Sequence, residues 1–83
     1  MKHSYFVVAI DYGKRGLEAI VQPEITRREV ISRIKSGEYQ NIAFIHHVDD
    51  LLIEDVTHEL IDAAEQELKD EVRVLKVAHA RIA

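Results

Sequence analysis

The chain has 83 residues, no cysteine and a formal net charge of −4. The lack of cysteine excludes disulfides and thiolate metal sites. A pI near 5.7 makes nucleic acid an unlikely main partner, because phosphate binding needs a net basic surface. The apolar share of 47% is ordinary for a folded soluble protein, and no apolar run is long enough to span a membrane. We therefore expect one cytoplasmic domain over residues 1–83, with no membrane partner.

The N-terminal part of the chain predicts a hairpin. Residues 4–12 are apolar on both alternating sets of side chains, which is typical of a central strand in a sheet covered on both faces. Gly13 and Gly16 supply a turn. Leu17 to Gln22 form the second strand, which Pro23 ends.

A helix and a third strand follow. Thr26 and Glu29 form a capping box that starts the helix, and Gly37 supplies its left-handed stop after Ser36. Asn41 to Val48 then read as a strand that is again apolar on both faces. The last helix begins either at caps offered by Asp49 and Asp50 or near Asp55 after a loop.

The element order is strand, strand, helix, strand, helix, which predicts a small α+β fold. A right-handed crossover makes strands two and three parallel, and the most apolar strand belongs in the centre, so we expect a three-stranded sheet in order 2-1-3. Its two helices include a long C-terminal one. The same order opens a β-grasp fold, whose alternative topology would use residues 72–78 as a fourth strand. The helical period fits those residues better than a period of two.

The C-terminal third carries one apolar stripe at helical spacing, from Ile53 through Val56 and Leu60 to the end. A single helix of about 30 residues would be about 45 Å long, against about 26 Å for the diameter of a compact domain of this size. Residues 70–83 are then a helical extension or a flexible tail. A stripe that extends beyond its own domain predicts a homodimer, with a different protein partner as another possibility. The interface candidates are Leu68, Val72, Leu75, Ala78 and Ile82.

The start of the first helix suggests a second function, the binding of a small anion or nucleotide. The crossover returns strand three to the same end, so its residues should approach Arg27, which we expect to lie over the end of the sheet. In an alternative interpretation Arg27 simply pairs with Asp49 or Asp50. Free amides at a helix start bind phosphate or carboxylate groups. The candidates are Thr26, Arg27, Arg28, Glu29 and His47.

A third and weaker hypothesis is nucleic-acid contact through a small basic patch, formed by Lys14, Arg15, Arg33 and Lys35. We predict no metal site, because His46 and His47 point to opposite faces of a strand and cannot share an ion. No nucleophile or acid–base pair stands out, so we predict neither catalytic residues nor a cofactor. The sequence favours an interaction or regulatory module that self-associates through its C-terminal helix and an apolar sheet face, and not an enzyme.

Overall fold

The computed structural model describes the backbone of residues 4–82 and the side chains of residues 4–73. One antiparallel sheet contains all the strands of this part of the chain, in the order β2-β1-β3-β4. A short 3-10 turn, Gly13–Arg15, joins the first two strands. The elements in chain order are β1 (Tyr5–Asp11), β2 (Leu17–Gln22), α1 (Arg27–Lys35), β3 (Ile42–Val48), β4 (Ile53–Asp55) and α2 (Thr57–Ile82).

The predicted α+β class, the two helices and the 2-1-3 order of the first three strands are confirmed. The predicted number of three strands is wrong, because β4 adds a fourth beside β3. The alternative topology allowed a fourth strand but placed it at residues 72–78, which lie within α2. Ile53 therefore belongs to the sheet and does not start the helical stripe.

The ends of α1 follow the sequence signals. The Thr26 hydroxyl accepts a hydrogen bond from the Glu29 amide at 3.2 Å, as expected of a capping residue. Ser36 is the C-cap residue of the helix. Gly37 follows with a φ of 81°, the left-handed conformation that glycine adopts without strain. These two signals position Arg27 and Arg28 in the first turn of the helix.

The start of α2 is joined to the middle of β3. The amide of Val56 donates to the carbonyl of Ile45 at 2.9 Å, and the amide of Ile45 donates to the Thr57 hydroxyl at 2.8 Å. The Asp55 carboxylate accepts from the Thr57 amide at 3.0 Å. The helix thus begins after Asp55, the later of the two predicted starts.

Both helices pack against the same face of the sheet. The core contains Val8 and Ile45 from the central strands, Val30 and Ile31 from α1, and Leu60 from α2, each at most 2% exposed. Apolar positions four apart, such as Leu60 and Ala64, place one side of α2 on this core. No helix of residues 4–82 lies on the opposite face of the sheet.

The molecule is thin and elongated, measuring 53 × 38 × 18 Å along its principal axes. Its radius of gyration of 15.9 Å exceeds the roughly 12 Å expected of a compact chain of this length. The 26 residues of α2 account for the length, because they span about 39 Å. The thin dimension holds one layer of strands and one layer of helices.

Candidate functional site

The face of the sheet opposite the helices is the candidate site, and we call it the open face. Side chains alternate along each strand, so the pairing register assigns them to faces. Val7 of β1, for example, lies beside Val21 of β2 and His46 of β3. The open face consists of Leu17, Ala19, Val21, Tyr5, Val7, Ala9, Asp11, Phe44, His46, Val48, Ile53 and Asp55.

The open face is apolar and most exposed toward its edges. Leu17 and Val21 on β2 are 61% and 50% exposed, and Ile53 on β4 is 64% exposed. Toward the centre, Ala9 is buried beneath its neighbours, whereas Val7 and Phe44 are half-buried. Its acidic members are Asp11, at the end of β1, and Asp55, at the β4 edge. The arrangement resembles half of a protein core.

The turn between β3 and β4 extends this apolar surface. The Asp49 carboxylate accepts hydrogen bonds from the amides of Leu51 and Leu52, both at 2.8 Å. The Asp49 amide donates to the carbonyl of Leu52 at 3.0 Å, which closes the turn. These bonds hold two exposed leucines, Leu51 at 96% and Leu52 at 54%, directly before Ile53.

The two adjacent histidines of β3 lie on opposite faces, as the strand geometry predicted. The His46 ring stacks on Phe44 of the open face, with 4.2 Å between ring centroids. The His47 ring contacts Phe6 on the helix-bearing face, with a centroid distance of 4.8 Å. Only His46 is therefore part of the open face.

The predicted helix stripe is partly visible. Leu68 and Val72 are 40% and 49% exposed, so they are not covered by the chain's own core. Leu75, Ala78 and Ile82 lie in the helical backbone of α2, but their side chains fall outside the described residues. At Leu68 and Val72 the stripe is therefore accessible to a partner.

The arginines of the predicted anion site form ion pairs with different glutamates. Thr26, Arg27 and His47 line one cavity of about 530 Å³ between α1, β3 and the start of α2. Glu24, Glu54 and Glu59 line it too. Arg27 donates to Glu59 at 3.1 Å, a partner that the alternative interpretation, which named Asp49 or Asp50, did not include. The sequence suggested that Arg27 is sheltered over the end of the sheet, but its side chain is 52% exposed.

The other two members of the predicted anion site have separate partners. Arg28 donates two hydrogen bonds of 2.6 Å to the Glu67 carboxylate, and the Glu29 carboxylate accepts from the Thr26 hydroxyl at 3.4 Å. Lys35 donates to the same Glu67 at 3.3 Å and also pairs with Glu71. The hydrogen bonds from Arg28, chiefly, and from Lys35 lower the pKa of Glu67 to about 2. This network ties α1 to α2.

The four residues of the predicted basic patch have different surroundings. Lys14 and Arg15 are exposed in the turn between β1 and β2. Arg33 instead donates to Gln22 and to the Tyr39 hydroxyl, the latter at 3.1 Å, and lies 3.5 Å from Glu38. Because Arg33 and Lys35 are engaged by neighbouring groups, less free positive charge remains than the sequence suggested.

Two structural features are absent from the part of the chain that the structure describes. None of its helices combines the length and apolar character needed to cross a membrane. No group of three or more His, Asp or Glu side chains in this part is placed to hold a metal ion.

Sequence reasoning predicted an apolar sheet face but did not identify the residues that form it. The signal was the odd-numbered set of β1, together with Phe44 and Val48 on β3, which remains apolar after the other set is assigned to the core. The leucines of the β3–β4 turn were not identified. No family model matches the chain, and no curated protein or solved structure is similar to it.

Proposed function

We propose that this protein is a self-associating interaction module, a homodimer whose copies meet through the open face. The exposed stripe of α2, represented by Leu68 and Val72, is a second and smaller contact surface. The observation that carries the proposal is the open face itself. It is a continuous apolar surface across four strands that the helices leave uncovered. Such surfaces on small proteins mark interaction sites, because burying apolar area is favourable.

The size of the surface supports a protein partner. Strands of seven, six, seven and three residues, at about 3.3 Å per residue and about 4.8 Å apart, give a flat footprint of about 360 Å². Stable interfaces bury about 600–1,000 Å² on each partner. Protruding side chains add to the footprint, and Leu51 and Leu52 enlarge it at the β3–β4 end. The open face and its rim together therefore approach the area that a stable dimer needs.

The pattern of large and small side chains favours a second copy as the partner. Phe44 on β3 lies directly beside Ala9 on β1, on the two sides of the midline of the sheet. A two-fold axis parallel to the strands and above this midline places β1 of each copy over β3 of the other. Each Phe44 then lies over the position of the partner's Ala9, where the side chains that cover Ala9 make the contact. Self-complementarity of this kind is what a two-fold dimer requires.

The resulting dimer would have four layers, with the two sheets inside and the helices outside. Sheets that pack face to face lie about 10 Å apart, with their strands about 30° from parallel. The dimer would supply the covering layer that the sequence predicted for the second face of β1. Only the part of α2 that extends beyond its own sheet could reach the partner, so the stripe contributes less than the open face.

Sedimentation velocity from about 1 µM to about 1 mM tests the proposal, since this range covers weak and moderate dimers. Methyl NMR over the same dilution series locates the contact. Methyl groups of Val7, Val21 and Ile53 should shift, whereas those of the buried Val30 and Ile31 should not. A mass that stays monomeric throughout would overturn the proposal. Shifts confined to Leu68 and Val72 would replace the open face by the helix stripe.

A further inference from the structure

We infer that association through the open face is controlled by pH through His46, which would bind the two copies together when neutral and separate them when protonated. This inference rests on the proposed function. Histidine is the side chain whose charge changes between about pH 5 and 8. His46 is half-buried on β3, and its ring stacks on Phe44 in the middle of the open face.

The surroundings of His46 on its own copy are mainly apolar. Phe44 and Val48 flank it along β3, and Val7 lies beside it on β1. Asp55 on β4 is the charged group opposite it in the register. Tyr5 on β1, one row away, brings a phenol to the same face. Among the described side chains, the remaining titratable neighbour is His58 at the start of α2, whose charge acts on Asp55.

The Asp55 carboxylate lies at the exposed β4 edge, and its attraction for a protonated His46 is one of the smaller causes of its lowered pKa, so it offsets only part of the cost of burying an imidazolium. Its carboxylate accepts hydrogen bonds from the Thr57 amide at 3.0 Å and from the Thr57 hydroxyl at 2.5 Å. These bonds lower the pKa of Asp55, with smaller contributions from the charges of His46 and His58. The carboxylate therefore stays ionised across the range in which histidine titrates, and its own charge does not change.

The two-fold arrangement puts apolar groups over the ring. The row that contains His46 runs Val21, Val7, His46, Asp55 across the sheet. Reversing this row about the midline brings each His46 against Val7 of the other copy. Removing a charged group from water into such a contact disfavours its charged form. The neutral imidazole is tolerated there, so the dimer binds fewer protons than two separate chains.

The direction of the pH effect follows from this difference in the number of bound protons. Lower pH favours the state that binds more protons, which is the monomer. One imidazole from each copy contributes, so the dissociation constant should rise at least tenfold between about pH 8 and pH 5.5. The test measures this constant by sedimentation at several pH values, on the intact chain.

Two variants isolate the residue. His46→Leu places an uncharged apolar side chain of similar size on the open face. Its dimer should have a dissociation constant that is nearly constant over the same pH range. His47→Leu is the matched control, because its side chain lies one position away on the helix-bearing face. It should keep the pH dependence of the wild-type chain.

Imidazole NMR signals of the unaltered chain supply a readout that does not depend on a variant folding. At about pH 8 the His46 ring signals should shift between a dilute and a concentrated sample, because the contact covers the ring. A dimer whose affinity is independent of pH, or a His46→Leu dimer that keeps the dependence, would overturn this inference alone. A chain that is monomeric at every pH would instead overturn the proposed function.

Discussion

The two faces of the same sheet have similar chemistry and different surroundings. On one face Val8 and Ile45 are covered by two helices and are at most 2% exposed. On the other, Val21 and Ile53 remain at least half exposed. Both faces come from the same strands, so strand propensity does not distinguish them. The difference shows that a chain of this length has enough helix to cover one face, and that the second face is available for another molecule.

The largest expected effect separates the faces with two adjacent residues. Ile45→Ala removes a fully buried side chain and should lower the free energy of unfolding by about 2–5 kcal/mol. Phe44→Ala, on the open face, should cost less than about 1 kcal/mol in dilute solution, where the protein is monomeric, yet weaken the dimer at least tenfold. Urea unfolding at low concentration and sedimentation at high concentration measure the two quantities.

Equal losses of monomer stability in the two variants would show that the faces are buried alike. Tyr12→Ala serves as a control for both, because Tyr12 is a 49% exposed aromatic residue that lines a cavity with Ile10 and Ile20 on the helix-bearing side. It should leave the dissociation constant within about twofold of the wild-type value.

A second prediction sharpens the arrangement of the two open faces. The two-fold axis places Val21 of one copy over Asp55 of the other, since both end the same row. Val21→Glu should therefore weaken the dimer about tenfold more than Val21→Lys, because the glutamate faces a like charge and the lysine an opposite one. Sedimentation of the two variants at low ionic strength measures the ratio. Equal weakening would exclude this axis while leaving the open face in place.

Leu51 and Leu52, which form the rim of the open face, should contribute less to the dimer than its centre does. Leu51→Ser removes an apolar side chain that is 96% exposed, so the monomer should keep its free energy of unfolding within about 0.5 kcal/mol. If the turn contacts the partner, the dimer should weaken about three- to tenfold. Tyr12→Ser, at an exposed position away from the rim, is the matched control. An unchanged dissociation constant for Leu51→Ser would restrict the interface to the strands.

The smallest effect concerns the helices of the covered face. The pKa of Glu67 falls from its ordinary 4.5 to about 2 in the folded chain, chiefly through the hydrogen bond from Arg28. This contribution to stability is present above about pH 4.5 and is lost as the pH falls toward 2. Glu67→Gln should lower the melting temperature at pH 7 and flatten its decline in acid. Glu65→Gln, an exposed glutamate on the same helix, should do neither.

The parts of the fold that the sequence predicted correctly depend on neighbours along the chain. Thr26 and Glu29 are three residues apart, and Gly37 follows directly on the helix it ends, so α1 could be delimited from local patterns. The strand β4 was missed because Ile53–Asp55 is only three residues long and Ile53 fits the apolar period of the following helix. A strand that short is recognised by its pairing with β3 and not by its own composition.

The site residues show the same division. That His46 and His47 face opposite ways follows from strand geometry alone, and the structure confirms it. The partner of Arg27 did not follow, because Glu59 is 32 positions away and reaches it only through the packing of α2 beside α1. The open face lies between these cases. Alternation made a second apolar face predictable, but only the placement of both helices on the other side revealed that it is bare.

The bond between Thr57 and β3 has a consequence for growth of the sheet at its edges. Beyond the short β4, the main-chain amide and carbonyl of Ile45 are taken by Thr57 and Val56, so this border offers little template for an incoming strand. The β2 border, with six residues in a row, is the longer of the two. Ribbon-like polymerisation by edge addition would need both borders, and the beginning of α2 blocks this one, which disfavours fibre formation.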